Sequence, residues 1–507
     1  MNNKVIYQIY PKSFKDTNND GIGDLNGIIE KIDYIKNLGA DYIWLTPILK
    51  SPQHDNGYDI SDFYDVDPIF GTIADYKTLL NKCKESNIKV IFDLVLNHIS
   101  TDHEWFRRAI NGEEYYQDFF VWTDQPNSLM SAFGSSAWTY NQQVGKYYLH
   151  LFDETQVDLN WHNPEVRKKL YEMINFWIDA GVEGFRLDVI DLIAKEPEKM
   201  ITSNGPNLLN YLSELSNATF SNKFLTVGEC WNFQPQDTVK ITGDEGLTQV
   251  FHFSHLNWIY PKWNLSRISL SELSQVMNNW QTEPKVIEAL TLNNHDLPRL
   301  QSYWFGPSAN HKENYLKSTL LFAMNILSQG NTYIYQGEEI GMENAYNFKL
   351  DDYNDIESLN KIQELIASGL SNEEILRIMH TVSRDNARTP MKWDSSQNYG
   401  FSNSKPWLEL NECNQNVEED LASQYSVYKK YQEMINWKKN NYNDLTFDYK
   451  AEAVDKVLMI KSGKFIAKLN FGTKPIISEI NEVKPLLTNK VDNFSVLQPY
   501  EFIIFKR

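Results

Sequence analysis

Short apolar runs recur along the chain at 5–10, 42–45, 90–96, 185–187, 225–227, 250–253, 289–292 and 333–335, most of them separated by stretches with helical spacing. Between the first two lies GIIEKIDYIKNLG, in which Ile28, Ile32, Ile35 and Leu38 fall on one helical stripe and Gly39 stands where a helix stops. Tyr76, Leu79, Leu80 and Cys83 repeat that spacing, and Pro164 opens a further helix carrying Val166, Leu170, Met173 and Trp177 ahead of Gly181. Strand alternating with helix predicts parallel strands. Eight such units predict an α/β fold, a (β/α)8 TIM barrel, whose functional groups stand at the C-terminal ends of its strands.

Two stretches break the alternation. The third run ends near His98 and the next begins near Glu183, and the residues between are rich in aromatics, Gly, Ser and Asn, which predicts a loop-rich domain inserted after strand 3. Beyond a helix-like segment at 427–438, KVLMIKSGKFIAKLNF and FSVLQPYEFIIF alternate as strands do and predict a C-terminal antiparallel β-sandwich. The expected division is 1–97 and 168–441 for the barrel, 98–167 for the insert and 442–507 for the C-terminal domain.

Composition narrows the function classes. With 42% hydrophobic and 23% charged residues over 507 positions, the chain has ample apolar surface for packed cores and is not intrinsically disordered. Its 48 Lys and Arg against 67 Asp and Glu give a net charge of −19, which repels phosphate backbones and anionic headgroups. Neither nucleic acid nor a membrane is an expected partner. No apolar run reaches the ~18 residues of a membrane span, the opening MNNKVIYQIY lacks the pattern of a secretory signal, and Cys83, Cys230 and Cys413 form neither a disulfide framework nor paired metal spacing. A cytoplasmic monomer is the expectation.

The candidate chemistry sits at four strand ends: DLVLNH (Asp93 to His98), GFRLD (Gly184 to Asp188), TVGE (Thr226 to Glu229) and NNHD (Asn293 to Asp296). Each alone reads equally well as structural, since Arg186 and Asp188, two residues apart on one strand face, could be a plain ion pair. Together they are different. Carboxylates converging in a barrel mouth repel one another, so at least one keeps a proton near neutral pH and an acid stands beside a nucleophile. Glycosidic cleavage requires that pair: a carboxylate traps the oxocarbenium-like centre while a carboxylic acid protonates the departing oxygen.

These motifs, in this order, resemble the α-amylase superfamily of retaining glycoside hydrolases (glycoside hydrolase family 13). The resemblance extends over VIYQIYPKSF, DNGYDI, QVDLNW, IYQGEEIGM and RDNARTPMKWD, and is strongest to the oligo-1,6-glucosidase and dextran glucosidase (glucan 1,6-α-glucosidase) group. It implies Asp188 as nucleophile, Glu229 as acid/base and Asp296 as the group that binds the sugar being cleaved off, with Arg186 holding Asp188 ionised. It further implies Asp55, Tyr58, His98, His295 and Arg384 as the pocket for the non-reducing glucose, and a small oligosaccharide as substrate. Val189, directly after the nucleophile, is the residue that α-1,6-specific relatives carry there, and Lys262 and Glu357 match groups that hold the sugar beyond the cleaved bond. The loop DTNNDGIGD alternates oxygen donors around a glycine turn, as hard cations prefer, and the resembling glucosidases use it for calcium: Asp16, Asn18, Asp20, Ile22 through its carbonyl, and Asp24. The expected activity is retaining, exo-acting cleavage of α-1,6 bonds at the non-reducing end of isomalto-oligosaccharides; a trehalose-6-phosphate hydrolase, although the segment 204–210 has no Arg or Lys for a phosphate, and an α-1,4-preferring α-glucosidase are the alternatives. A catalytically silent carbohydrate-binding barrel is the alternative from another class, against which Asp188, Glu229 and Asp296 speak.

Overall fold

The computed structural model describes residues 2–220, 223–243, 246–256, 263, 265, 269–412, 416–478, 485–490 and 494–506. Eight parallel strands form the centre: β1 (Val5–Ile9), β2 (Tyr42–Leu45), β3 (Lys89–Val95), β4 (Gly184–Asp188), β5 (Leu225–Glu229), β6 (Gln249–Phe251), β7 (Ala289–Thr291) and β8 (Asn331–Tyr335). Their order is β6-β5-β4-β3-β2-β1-β8-β7, and β6 lies beside β7, bringing the ends of the sheet together around a cylinder. All eight apolar runs supply a barrel strand. β4 and β5 are buried at every position, as expected for strands covered by helices outside and side chains inside.

Helix termini follow local chemistry. Gly39 takes φ 106 and closes the first crossover, where a Cβ would stand 3.1 Å from Ile435 Cγ2. The four residues of the predicted stripe are buried, but the helix is broken into Leu25–Glu30 and Ile32–Leu38 at Lys31, whose N–H turns back to Ile28 O and Ile29 O. Thr72 and Asp75 form a capping box on Ile73–Glu85, and Asn163 caps Pro164–Asp179.

The residues between β3 and β4 include a three-stranded antiparallel sheet (Trp122–Thr123, Lys146–Leu149, Trp138–Asn141) and a short pair, His98–Ser100 with Gln156–Asp158, that sits over the barrel mouth. At the C-terminus a five-stranded antiparallel sheet carries alternating burial along Val457–Ser462, with a second, two-stranded sheet beside it. After β8 the chain forms two helices, Ile356–Ala367 and Asn372–Val382, packed around Phe348, Tyr353, Ile362, Ile375 and Met379. That pair has no counterpart among the predicted elements. Among the described residues no helix is long and apolar enough to cross a membrane.

Candidate active site

The four motifs meet at the C-terminal end of the barrel. Asp188 and Glu229 are the last residues of β4 and β5, Asp296 lies in the loop after β7, and Asp55 and Tyr58 come from the loop after β2. Together with His98, Val189, Glu357 and Arg384 they line one cavity of about 340 Å³, walled also by Phe133, Phe152, Asp191 and Trp231. Arg186 and His295 lie buried beneath it. Lys262 lies outside the described residues.

The period of two along β4 puts Arg186 and Asp188 on one face, and parallel register places β3 and β5 on either side. Arg186 Nη1 therefore donates to Asp188 Oδ1 at 2.6 Å and to Asp93 Oδ1 at 2.9 Å, while Nη2 donates to Glu229 Oε2. The guanidinium is thus shared by three carboxylates, where the sequence pointed to Asp188 alone. Asp93 also accepts from Trp44 Nε1 and the Tyr58 hydroxyl, each at 3.1 Å. Glu229 accepts from the Val189 N–H at 3.2 Å and from Trp231 Nε1 at 2.9 Å.

Burial pushes Asp188 well above the ordinary carboxylate range; Arg186 opposes, and Glu229, Asp93 and Asp296 add to the rise. Burial raises Asp93 to about 6 against the same guanidinium. Three carboxyls facing one cation keep a proton among them near neutral pH, and that proton belongs to the cluster rather than to one residue.

A second cluster holds Asp296. Its Oδ1 accepts from Arg384 Nη1 at 3.0 Å and Arg388 Nη2 at 2.9 Å, and its Oδ2 lies 3.2 Å from His295 Nε2. Gln8 Nε2 donates to His295 Nδ1 at 2.9 Å, so the ring proton is on Nε2, 2.6 Å from the Tyr58 oxygen. Burial lowers His295 to about 3, and the imidazole is neutral. Arg384 also faces Asp55 at 3.5 Å, Glu357 at 3.4 Å and Asp355, so Glu357 is a buried ion-pair partner rather than a surface charge. Although burial opposes it, Arg384 and Arg388 hold Asp355 down at about 2. Asp55, buried and accepting from Gln156 Nε2 at 3.0 Å, rises to about 7. Gln156, Asp355, Arg388, Trp231 and Asp191 were not assigned a site role from the sequence, although Gln156 and Arg388 lie inside the QVDLNW and RDNARTPMKWD motifs. For Arg388 and Asp355, proximity in the chain to Arg384 and Glu357 was the available signal.

The loop 16–24 lies apart from this cavity, against residues 401–407. Asp16 accepts from the N–H groups of Asn19 and Gly21 at 2.7 and 2.8 Å, Asn18 Oδ1 from Asp20 N at 2.9 Å, and Asp20 Oδ1 from Ile22 N at 2.8 Å. Asp24 caps the helix Leu25–Glu30 and accepts from Thr17. Among the described residues, no three His, Cys, Asp or Glu side chains are arranged to hold a metal ion. Asp16 Oδ2 also accepts from the Ser402 hydroxyl, so Asp16 Oδ1, Asn18 Oδ1 and Asp20 Oδ1 are the oxygens that accept a single N–H and keep a lone pair of the kind a hard cation takes.

A sequence profile described as "Alpha amylase, catalytic domain" matches residues 8–446. The chain belongs to the α-amylase family. Within the family it is 46% identical to a glucan 1,6-alpha-glucosidase of Streptococcus pneumoniae over 454 residues, covering 87% of this chain and 84% of that relative. It is 38% identical to a trehalose-6-phosphate hydrolase of Bacillus subtilis, covering 99% and 97% of the two chains. Among solved structures of this family, that of a Bacillus licheniformis trehalose-6-phosphate hydrolase superposes with a TM-score of 0.91 at 37% identity, covering 99% of both chains.

Proposed function

We propose that this protein is a retaining, exo-acting α-glucosidase that removes glucose from the non-reducing end of isomalto-oligosaccharides by cleaving α-1,6 bonds. The observation that carries the chemistry is the joint seating of Asp188 and Glu229 on the two Nη atoms of Arg186, in one cavity with Asp296. Bridging through one guanidinium brings an oxygen of each carboxyl to the same group, which supports the close pair of retaining enzymes, about 5–5.5 Å apart, over the about 6.5–9.5 Å of inverting ones.

In the first step an Asp188 oxygen bonds the anomeric carbon as the glycosidic C–O bond breaks, and the cluster proton passes from Glu229 to the departing oxygen. In the second, Glu229 takes a proton from water as the water oxygen displaces Asp188, returning the enzyme to its starting state. Asp296, fixed by Arg384 and Arg388, accepts from sugar hydroxyls, and Tyr58 offers an aromatic face. The Asp55–Arg384 pair stands in the wall of the cavity, which favours release of a terminal unit over internal cleavage. Val189 and Glu357 in the wall, and two relatives at 46% and 43% identity that are named glucan 1,6-alpha-glucosidases, support the linkage. Hydrolysis of isomaltotriose, maltotriose and trehalose-6-phosphate, measured side by side, tests it: equal rates on the first two replace the linkage assignment with a broader α-glucosidase, and preference for the third replaces it with a phosphotrehalase.

The reading includes calcium at Asp16, Asn18, Asp20, the Ile22 carbonyl and Asp24, as a structural ion remote from the chemistry. An ion that binds only the folded chain stabilises it by mass action. Excess chelator should therefore lower the melting temperature, and an unchanged melting curve with no metal by elemental analysis retires the site. A cytoplasmic, monomeric enzyme completes the proposal; light scattering of the purified protein tests the second term.

A further inference from the structure

Asp191 is a carboxyl that the two-step chemistry leaves unused. Val189 takes φ 36 and ψ 44, a left-handed conformation rare for a β-branched residue, and directs its N–H toward Glu229. The same turn swings the 3-10 segment Ile190–Leu192 back into the cavity wall, where Asp191 and Glu229 stand together. Asp191 is 2% exposed and its Oδ1 has no hydrogen-bond partner. Among the described residues no cation is recorded against it: besides burial, the groups that act on it are Glu229 and its own backbone N–H. A buried carboxyl without a counter-charge costs stability, so its place in the same cavity wall as the acid/base calls for a reason.

We propose that Asp191 is a positioning residue for proton transfer: its negative charge, as it forms, holds the proton on Glu229 and keeps the acid competent to higher pH. The inference rests on Glu229 being the acid/base. Burial, then Glu229, pushes Asp191 up to about 7, so the two carboxyls resist ionising together. The Cys230 thiol, next to Glu229, is itself pushed up by burial and by these two acids, and so adds no charge. Glu229 also shares Arg186 with Asp188 and Asp93, an arrangement with one cation for three acids. Asp191 is thus the one acidic residue of the 190–192 turn, and it lines the same cavity as Glu229.

The test is the pH dependence of kcat/KM for Asp191→Asn, which keeps shape and removes charge. With an isomalto-oligosaccharide, whose leaving oxygen needs a proton, the alkaline limb should move toward acid by about one pH unit, the effect of a unit charge at short range in a partly buried site. The acid limb should stay in place. With an aryl α-glucoside whose leaving group needs no proton, the shift should vanish. Asp191→Glu should restore the alkaline limb, and Asp191→Ser, smaller and also neutral, should show the same shift as the Asn variant and serves where that variant does not fold. Superposed profiles for wild type and the neutral variants overturn the inference. A Glu229→Gln enzyme that still cleaves the isomalto-oligosaccharide would instead overturn the acid/base assignment itself, so the two failures are distinct.

Discussion

Replacing Arg186 with Met probes the arrangement on which the catalytic cluster depends. The side chain is 2% exposed and its guanidinium is the shared donor to Asp93, Asp188 and Glu229, all of them buried. Each charge-assisted bond contributes about 1.5–3 kcal/mol, but the loss is not their sum, because stranded carboxyls take up protons rather than remain ionised. Removing one member of a buried ionic group typically costs about 3–5 kcal/mol. The sign of the pH dependence follows. Without Arg186 the folded-state pKa values of Asp93 and Asp188 rise further above their unfolded values of about 4, so their contribution is fully present below that pH and is lost as pH rises through the folded values. Arg186→Met should therefore be destabilised by about 3–5 kcal/mol near pH ~8 and by clearly less near pH ~5. Denaturant midpoints measured at both pH values read this directly, and turnover should fall by at least about 100-fold, the scale seen when one charge-stabilising donor is removed. A loss that is equal at the two pH values, or below about 1 kcal/mol at the higher one, would refute the shared-cation account.

Asp188→Asn should abolish turnover of every α-glucoside while leaving the far-ultraviolet spectrum and melting temperature close to wild type; substantial residual activity would name the wrong nucleophile. Val189→Thr should raise activity on maltose-type substrates, and Glu357→Ala and Lys262→Ala should weaken isomaltose-type turnover more than aryl-glucoside hydrolysis, by roughly 10–200-fold for the pair of substrates compared. His98 and His295 are lowered by burial to about 4 and about 3. Their contribution to stability is present above the unfolded value of about 6.5 and is lost as pH falls toward the folded values; melting temperature should decline over that window, and less steeply in His98→Gln.

The sequence by itself determined the elements and the identity of the chemical groups. Apolar runs of strand length separated by helical stripes gave eight strands, because burial on both faces demands continuous apolar residues in a parallel sheet. The spacing of Arg186 and Asp188 fixed their shared face, since alternation along a strand is a local property, and Gly39 ended its helix where only a residue without a Cβ takes that turn cheaply. Carboxylates at the ends of β4 and β5 and after β7 announced a polar mouth. What the tertiary structure decided is who faces whom. Register between β3, β4 and β5 made one guanidinium serve Asp93, Asp188 and Glu229. Loops far apart in sequence brought Arg384 and Arg388 onto Asp296, and the insert carried Gln156 to Asp55. The unforeseen helix pair after β8 made Glu357 a buried partner of Arg384. These contacts span tens to hundreds of residues, and no local periodicity encodes them. They exist because closing the barrel forces the strand ends into one mouth, where burial and mutual charge, rather than residue type, set the pKa of each acid.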